Sequence, residues 1–139
     1  MRQHCPRPAT GDATEPSQVT VDQLREAEQI TPIVSVQNRY NLTDRASEDV
    51  LEHCEQRGIT FIPWLPVAPM TRGGAADSLT AVANRLHATP TQVTLAWLLH
   101  RSPVMLPIPG TSSQAHLEEN VAAASLRLDV DDYEQLAAA

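Results

Sequence analysis

Short apolar runs alternate along this chain with longer segments in which apolar residues recur every three or four positions. Runs rich in β-branched residues predict strands at 33–37, 59–64 and 104–108. Helical spacing predicts helices over 21–29, 47–57, 77–87, 89–100, 113–125 and 130–138. Strands separated by helices are typical of βαβ units, so the pattern indicates an α/β fold with a parallel sheet.

Local signals mark several of the helix ends. Thr20 with Gln23 forms a capping box before the first predicted helix, and Thr89 with Gln92 forms another. Gly58 stands where the helix over 47–57 must end, since glycine accepts a left-handed conformation without strain. The predicted helix boundaries therefore have physical causes besides periodicity.

The run at 104–108 ends in a Pro-Gly turn, and hydroxyl groups follow at Thr111, Ser112 and Ser113. A helical pattern comes next, with Leu117 and Val121 on one predicted apolar face. The hydroxyls then lie at a helix N-terminus, where free N–H groups and the positive end of the helix dipole favour an anion. The segment is interpreted as a strand–turn–helix phosphate site, although any well-capped helix start has a similar pattern.

The chain has 139 residues, of which 42% are apolar, which is enough for one compact domain. Residues 1–16 are rich in Pro, Gly, Thr and Ala and have no periodicity. This composition predicts a disordered N-terminal tail at 1–16, followed by one domain at 17–139.

The charges exclude several classes of protein. The net charge is −7 and the sequence contains no lysine, which excludes Schiff-base catalysis and a P-loop. The acidic balance also argues against a nucleic-acid partner.

No apolar run approaches the ~20 residues that a membrane span needs, and residues 1–16 lack the apolar stretch of a secretory signal. Cys5 and Cys54 form no disulfide framework, so a cytoplasmic location is expected.

Two adjacent His-Cys pairs, His4-Cys5 and His53-Cys54, are compatible with metal ligation. Neighbouring residues on a helix point in different directions, however, and no further ligands converge on either pair. No metal site is expected.

The segment 81–98 could instead be a DNA-binding helix-turn-helix, because two helices there are joined by a short turn. Its second helix carries Val93, Leu95, Trp97 and Leu98 rather than the polar and basic side chains that read base edges. That pattern favours a buried helix.

Five segments, in this order, resemble the C-terminal part of the aldo-keto reductases. They are Ser17-Gln18-Val19-Thr20, the run PIVSVQNRYNL at 32–42, IPWLPV at 62–67, TQVTLAWLL at 91–99, and LPIPGTSSQAHLEEN at 106–120. Members of this family are TIM barrels that bind NADPH without a Rossmann fold. The resemblance, which runs from about Ser17 to Leu136, implies a partial TIM (β/α)8 barrel, with the last three parallel strands and their helices. The family strand that ends near Ser17 is expected to be lost.

The resemblance also implies a site for the nicotinamide end of the cofactor. Ser17, Gln18 and Gln37 match the residues that hold the nicotinamide carboxamide, although most members have Asn where this chain has Gln18. Trp64 matches the aromatic residue that stacks on the nicotinamide ring, and Leu65 begins the loop toward the pyrophosphate.

Matches for the adenosine end lie in the last segment. Those for the phosphates and the adenine are Gly110, Thr111, Ser113, His116, Glu119 and Asn120. Many members have Arg at the position of His116, where its fork holds the 2′-phosphate. The expected cofactor is NADP(H), with NAD(H) left open, since histidine is mostly neutral at pH 7.

The family's catalytic Asp, Tyr, Lys and His belong to earlier strands, so no catalytic residue is assigned in this chain. The resemblance implies a truncated oxidoreductase whose parent reaction reduces aldehydes and ketones to alcohols. Two alternatives are a noncatalytic NADP(H)-binding or regulatory module and an inactive gene remnant. Besides the nicotinamide dinucleotide, the expected partner is a complementary N-terminal barrel fragment or a second copy of the chain, because three strands cannot close a barrel.

Overall fold

The structure is a computed structural model that describes residues 14–69 and 73–138. Its strands are β1 (Ser35–Arg39) and β2 (Thr60–Trp64). Its α-helices are α1 (Val21–Glu28), α2 (Glu48–Arg57), α3 (Gly74–Arg85), α4 (Pro90–Arg101), α5 (Gln114–Ala122) and α6 (Val130–Ala137). A short 3-10 helix, Ala123–Ser125, follows α5. The alternation of strands and helices confirms the predicted α/β class.

The two strands are parallel, with Ser35 opposite Thr60 and Arg39 opposite Trp64. A further segment lies on each side of this pair. On the β1 side, Gln37 N–H donates to the carbonyl of Pro16 across 3.0 Å. On the β2 side, Phe61 N–H donates to the carbonyl of Val104 across 2.9 Å. The backbone thus has four parallel segments in the order 14–17, β1, β2 and 104–106, as in part of a barrel.

The predicted third strand, 104–108, is reduced to a single bridge between Phe61 and Met105. The apolar residues of this run favour a strand, but Pro107 and Pro109 have no N–H group to donate to a neighbouring strand. Pairing therefore ends at Leu106, whose N–H donates to the carbonyl of Phe61 across 2.8 Å.

Among the described residues no strand element precedes β1, as expected, but part of the pairing of the family strand before Ser17 remains. Thr14 bridges Ile33 and Ser17 bridges Gln37, both in parallel orientation. Backbone pairing of this kind does not depend on the side chains that the resemblance compares. Within the predicted tail, residues 14–16 are therefore held against β1, whereas residues 1–13 lie outside the described part of the chain.

Strand β1 begins two residues later than predicted and includes the buried polar residue Asn38. The side chain of Asn38 accepts from the N–H of Val19 at 3.0 Å and donates to the Val19 carbonyl at 2.8 Å. Because both ends of the amide are satisfied, a polar residue occupies a buried strand position without an unmet hydrogen bond.

The predicted helix signals are confirmed where the structure tests them. Thr20 with Gln23 and Thr89 with Gln92 form complete capping boxes. Gly58 ends α2 in the left-handed conformation, with φ of 67°. Helix α3 begins at Gly74, earlier than the predicted position 77.

The core lies between one face of the sheet and the helices. It joins Val36 and Phe61 of the strands to Leu51 of α2 and Trp97 of α4. Tyr40 packs edge-on against Phe61, with ring centroids 5.8 Å apart, and stacks on Trp97. The residues from Val93 to Leu98 are all buried, as their pattern predicted.

The other face of the sheet is more open. Side chains alternate across a strand, so Gln37 and Arg39 of β1 lie on the face opposite Val36. Ile62 is the register partner of Gln37, and Trp64 is that of Arg39. None of these four residues is buried, and in a closed barrel this face would line the interior.

The predicted apolar face of α5 is not packed. Leu117 and Val121 are exposed, and α5 contains no buried residue. The helix nevertheless has the predicted N-cap at Ser113. No element within 14–69 and 73–138 covers Leu117 and Val121, so the apolar face of α5 is open to solvent.

Candidate functional site

The structure brings the candidate residues into two neighbouring groups, at the end of β2 and around the start of α5. The first, the strand-end cluster, comprises Ser17, Gln18, Gln37 and Trp64. The second surrounds an open cavity of about 430 Å³, here called the α5 cavity.

Gln18 is the centre of the strand-end cluster. Its side-chain oxygen accepts from the indole N–H of Trp64 at 2.7 Å and from the backbone N–H of Arg39 at 2.6 Å. Its own backbone N–H donates to the carbonyl of Gln37 at 3.0 Å. Gln18 therefore ties the 14–17 segment to the ends of both strands, and it does so with a positive φ of 53°.

The two hydrogen bonds to Gln18 fix the orientation of its amide. Both partners are N–H donors, so the atom they contact must be the oxygen. The NH2 group of Gln18 then points away from these donors and offers hydrogen bonds to an acceptor. This geometry suits a ligand carbonyl oxygen.

Arg39 completes the surroundings of Trp64, although the sequence did not mark it as a site residue. Its guanidinium carbon lies 5.6 Å from the centroid of the Trp64 ring. Its Nε is 2.9 Å from a carboxylate oxygen of Asp44. The ring of Trp64 is therefore held at its N–H edge by Gln18 and on one face by Arg39.

The α5 cavity is formed by the loop after β2, the start of α4 and the segment leading into α5. Among the predicted residues, its lining includes Leu65, Gly110, Thr111, His116, Glu119 and Asn120. The sequence had assigned these positions separately, and the structure places them around one volume.

Of the three hydroxyl residues in the predicted phosphate segment, Ser112 and Ser113 do not line this cavity. Ser113 instead caps α5. Its hydroxyl accepts from the N–H of His116 at 3.4 Å as the N-cap of α5. Its N–H donates to the hydroxyl of Thr111 at 3.1 Å. No acidic residue occupies the first turn of α5, so no carboxylate in that turn competes with a bound anion for the free N–H groups; Glu119, further along the helix, does line the cavity.

Further cavity residues were missed from the sequence: Pro66, Val67, Thr91, Ile108 and Pro109. They lie within the motifs that carry the resemblance, but no residue type among them signals a binding role. Gln92, just after Thr91, donates to the carbonyl of Glu119 at 3.2 Å and so joins α4 to α5.

The His53-Cys54 pair is structural. Nε2 of His53 lies 2.9 Å from Glu28, and Cys54 is a free, fully buried cysteine. Burial raises the pKa of the Cys54 thiol to about 12, with smaller contributions from Glu28 and Glu55. Within the described residues no group of His, Cys, Asp and Glu could hold a metal ion. The other pair, His4-Cys5, lies outside those residues.

The described helices also include none that is long and apolar enough to cross a membrane.

Sequence comparison and structure comparison find the same group of known proteins. The sequence model of the Aldo/keto reductase family matches residues 16–139. An uncharacterized oxidoreductase of Schizosaccharomyces pombe is 52% identical over 120 residues, which is 86% of this chain and 39% of that protein. The pyridoxine 4-dehydrogenase of Escherichia coli is 48% identical over 112 residues, which is 81% of this chain and 39% of the enzyme. The chain thus spans about two-fifths of the length of these relatives.

Solved structures agree. A thermostable aldo-keto reductase in complex with the inhibitor epalrestat superposes with a TM-score of 0.82 and 31% identity, over 88% of this chain and 46% of that one. An aldo/keto reductase from Klebsiella pneumoniae, solved with NADP and acetate, superposes with a TM-score of 0.76 and 28% identity, over 86% of this chain and 45% of that one.

Proposed function

This chain belongs to the aldo/keto reductase family, and we propose that it binds NADP(H) along the open face of its sheet. In this proposal the α5 cavity takes the adenosine phosphates and the strand-end cluster takes the nicotinamide. The chain forms the cofactor-binding side of a (β/α)8 barrel.

The observation that carries the proposal is the make-up of the α5 cavity. Gly110 and Thr111 come from the loop before α5, whereas His116, Glu119 and Asn120 come from the helix itself, and all five line one volume. The first turn of α5 directs free N–H groups toward its N-terminal end. A phosphate there accepts from backbone N–H groups and from the Thr111 hydroxyl, with His116 beside it.

The strand-end cluster supports the nicotinamide position. The NH2 group of Gln18 can donate to the carboxamide oxygen. Gln37, on β1, lies on the same face of the sheet as Trp64 of β2. The ring of Trp64 stays half-buried and offers a flat apolar surface for stacking. Leu65 follows Trp64 directly and lines the α5 cavity, which connects the two ends of the proposed cofactor path.

Reversible hydride transfer between nicotinamide and a carbonyl or alcohol is the reaction we propose for the complete barrel. The chain spans about two-fifths of its curated relatives, and we assign none of its residues as the acid or base of that reaction. In this proposal the chain contributes cofactor binding, and the remaining strands contribute catalysis and most contacts to substrate. The buried free thiol of Cys54 suits a reducing compartment, and we propose the cytoplasm.

Gly110 offers a direct test of the phosphate site. A Cβ built at this position meets no atom within 4 Å, so a side chain fits there without a clash. In Gly110→Asp a carboxylate faces the proposed phosphate, and Gly110→Asn is its uncharged match of nearly equal size. Calorimetric titration with NADP+ at low salt is expected to give a Kd about tenfold weaker for Gly110→Asp than for Gly110→Asn.

Thermal unfolding of both variants checks that the fold is kept. Equal Kd values for Gly110→Asp and Gly110→Asn would place the phosphate elsewhere. A wild-type chain that binds neither NADP+ nor NADPH at millimolar concentration would contradict the proposed function as a whole.

A further inference from the structure

We propose that Arg39, held against the ring of Trp64, makes this site bind the reduced nicotinamide in preference to the oxidised one. The inference rests on the proposed function, because it takes Trp64 as the ring that stacks on nicotinamide. Arg39 is then a residue that sets specificity for the redox state of the cofactor.

Contacts with Arg39 and Gln18 hold the ring of Trp64 in one orientation. Arg39 and Trp64 are register partners at the carboxyl ends of β1 and β2. The Arg39 guanidinium lies 5.6 Å from the ring centroid, and the N–H edge of the ring donates to Gln18 at 2.7 Å. Since Arg39 covers one face of the ring, the nicotinamide stacks on the opposite face.

The charge of the cofactor ring differs between its two redox states. Oxidised nicotinamide carries a positive charge on the ring, and reduced nicotinamide is neutral. A stacked ring lies ~3.5 Å beyond the indole plane, which places it about 9 Å from the guanidinium. At this distance the charge of Arg39 repels the oxidised ring and leaves the reduced ring nearly unaffected.

The indole ring adds to this discrimination. Its negative π face attracts a cation, and in this structure Arg39 already occupies one side of it. A second cation on the other face therefore gains less than it would from an indole without Arg39. Both effects act against the oxidised cofactor.

Asp44 moderates the charge of Arg39. Its carboxylate lies 2.9 Å from the Nε of Arg39, and the side chains of Arg39 and Asp44 are 47% and 29% exposed. The backbone N–H of Asp44 donates to the carbonyl and to the side-chain oxygen of Asn41, which fixes the backbone at Asp44. Its carboxylate also accepts from the N–H of Ala46 at 3.3 Å. Removing Asp44 should therefore strengthen the preference that removing Arg39 weakens.

The opposite effects expected from removing Arg39 and from removing Asp44 provide the test. The Kd values of NADP+ and NADPH are measured at low salt for the wild type, Arg39→Gln and Asp44→Asn, and the ratio of the oxidised to the reduced Kd is compared. We expect Arg39→Gln to lower this ratio roughly three- to tenfold and Asp44→Asn to raise it roughly twofold, with solvent exposure keeping both effects modest. Arg39→Lys keeps the charge and should retain most of the ratio.

An equal loss of affinity for both redox states in Arg39→Gln would overturn the proposal, because it would mean that Arg39 only shapes the site. An unchanged ratio in both variants would overturn it as well. A wild-type chain that binds neither form contradicts the proposed function instead, so the two failures are distinguishable. If Arg39→Gln shows no cooperative unfolding, and so is not properly folded, Asp44→Asn provides the test. The proposal then requires the ratio of the oxidised to the reduced Kd to rise in Asp44→Asn, and an unchanged or lower ratio would overturn it.

Discussion

The guanidinium of Arg45 lies over the indole ring of Trp97, 4.8 Å from the ring centroid. The same group donates to the carbonyls of Leu42 at 3.1 Å and Ala137 at 2.8 Å. A third hydrogen bond reaches the carbonyl of Leu136 at 3.3 Å. Arg45 thus fastens the last turn of α6, where helix carbonyls are otherwise unmet, to the loop after β1.

Replacing Arg45 by alanine should loosen α6. The loss of the stacking and of three hydrogen bonds is expected to lower the free energy of unfolding by about 2–3 kcal/mol. Arg45→Lys keeps the charge but lacks the planar fork, so it should recover only part of this loss. Urea unfolding measures the effect, and an Arg45→Ala chain as stable as the wild type would show that α6 docks by apolar contacts alone.

Cys54 should be unreactive until the chain unfolds. Burial raises the pKa of its thiol to about 12, so at pH 8 the thiolate is roughly a thousandfold scarcer than for a free cysteine. In a Cys5→Ser chain only this thiol remains. We expect an alkylating reagent to modify it slowly in buffer and rapidly in urea, and fast modification of the native chain would contradict the packing of α2.

The stabilising effect of Glu28 should be lost in acid. Burial by itself raises the pKa of Glu28, but hydrogen bonds and positive charge from His53 and Arg57 outweigh it and hold the pKa below its ordinary value. A carboxylate with a lowered folded-state pKa stabilises the fold above its unfolded pKa, and this contribution disappears as the pH falls through the folded value. The gap in unfolding free energy between wild type and Glu28→Gln should shrink as the pH falls below ~4.3. Urea unfolding at a series of pH values measures that gap, and a constant one would argue against the ion pair.

The outer edge of the sheet, at residues 104–108, should promote association. Leu106 and Ile108 are 52% and 50% exposed beside the bridge to β2. Exposed apolar strand edges pair readily with other chains. Sedimentation should therefore detect concentration-dependent association that Leu106→Glu weakens. Ile30→Glu is the matched control, because Ile30 is also apolar and is 86% exposed after α1. An equal effect of both substitutions would indicate nonspecific stickiness instead of pairing at this edge.

The chain by itself should not oxidise NADPH with aldehydes or ketones. The resemblance matches the family's catalytic Asp, Tyr, Lys and His to no residue of this chain, and the sequence has no lysine. Absorbance at the NADPH band measures turnover in a preparation free of host reductases. A rate well above the buffer blank would require a catalytic group that we have not identified.

The elements that could be predicted from the sequence are those with local causes. The capping boxes at Thr20 and Thr89 and the left-handed Gly58 each depend on neighbours within one helical turn, and all three are confirmed. The predicted strand 104–108 failed because apolar periodicity does not register the prolines that prevent pairing.

The site followed from resemblance rather than from local pattern. The hydrogen bond between Gln18 and Trp64 joins residues 46 positions apart, and no local signal predicts such a contact. Arg39 was missed for the same reason, since its importance depends on the strand register that brings it beside Trp64. The burial of Asn38 likewise depends on Val19, 19 positions earlier.

The two faces of β1 and β2 have different roles, one in packing and the other in the proposed cofactor binding. Val36 and Phe61 face the core, whereas Gln37, Arg39 and Trp64 lie on the face where we place the cofactor. Substitutions at neighbouring positions of one strand should therefore have separable effects, one set on packing and the other on recognition. A protein engineer could therefore substitute every second residue of these strands to alter cofactor preference and leave the core residues on the other face unchanged.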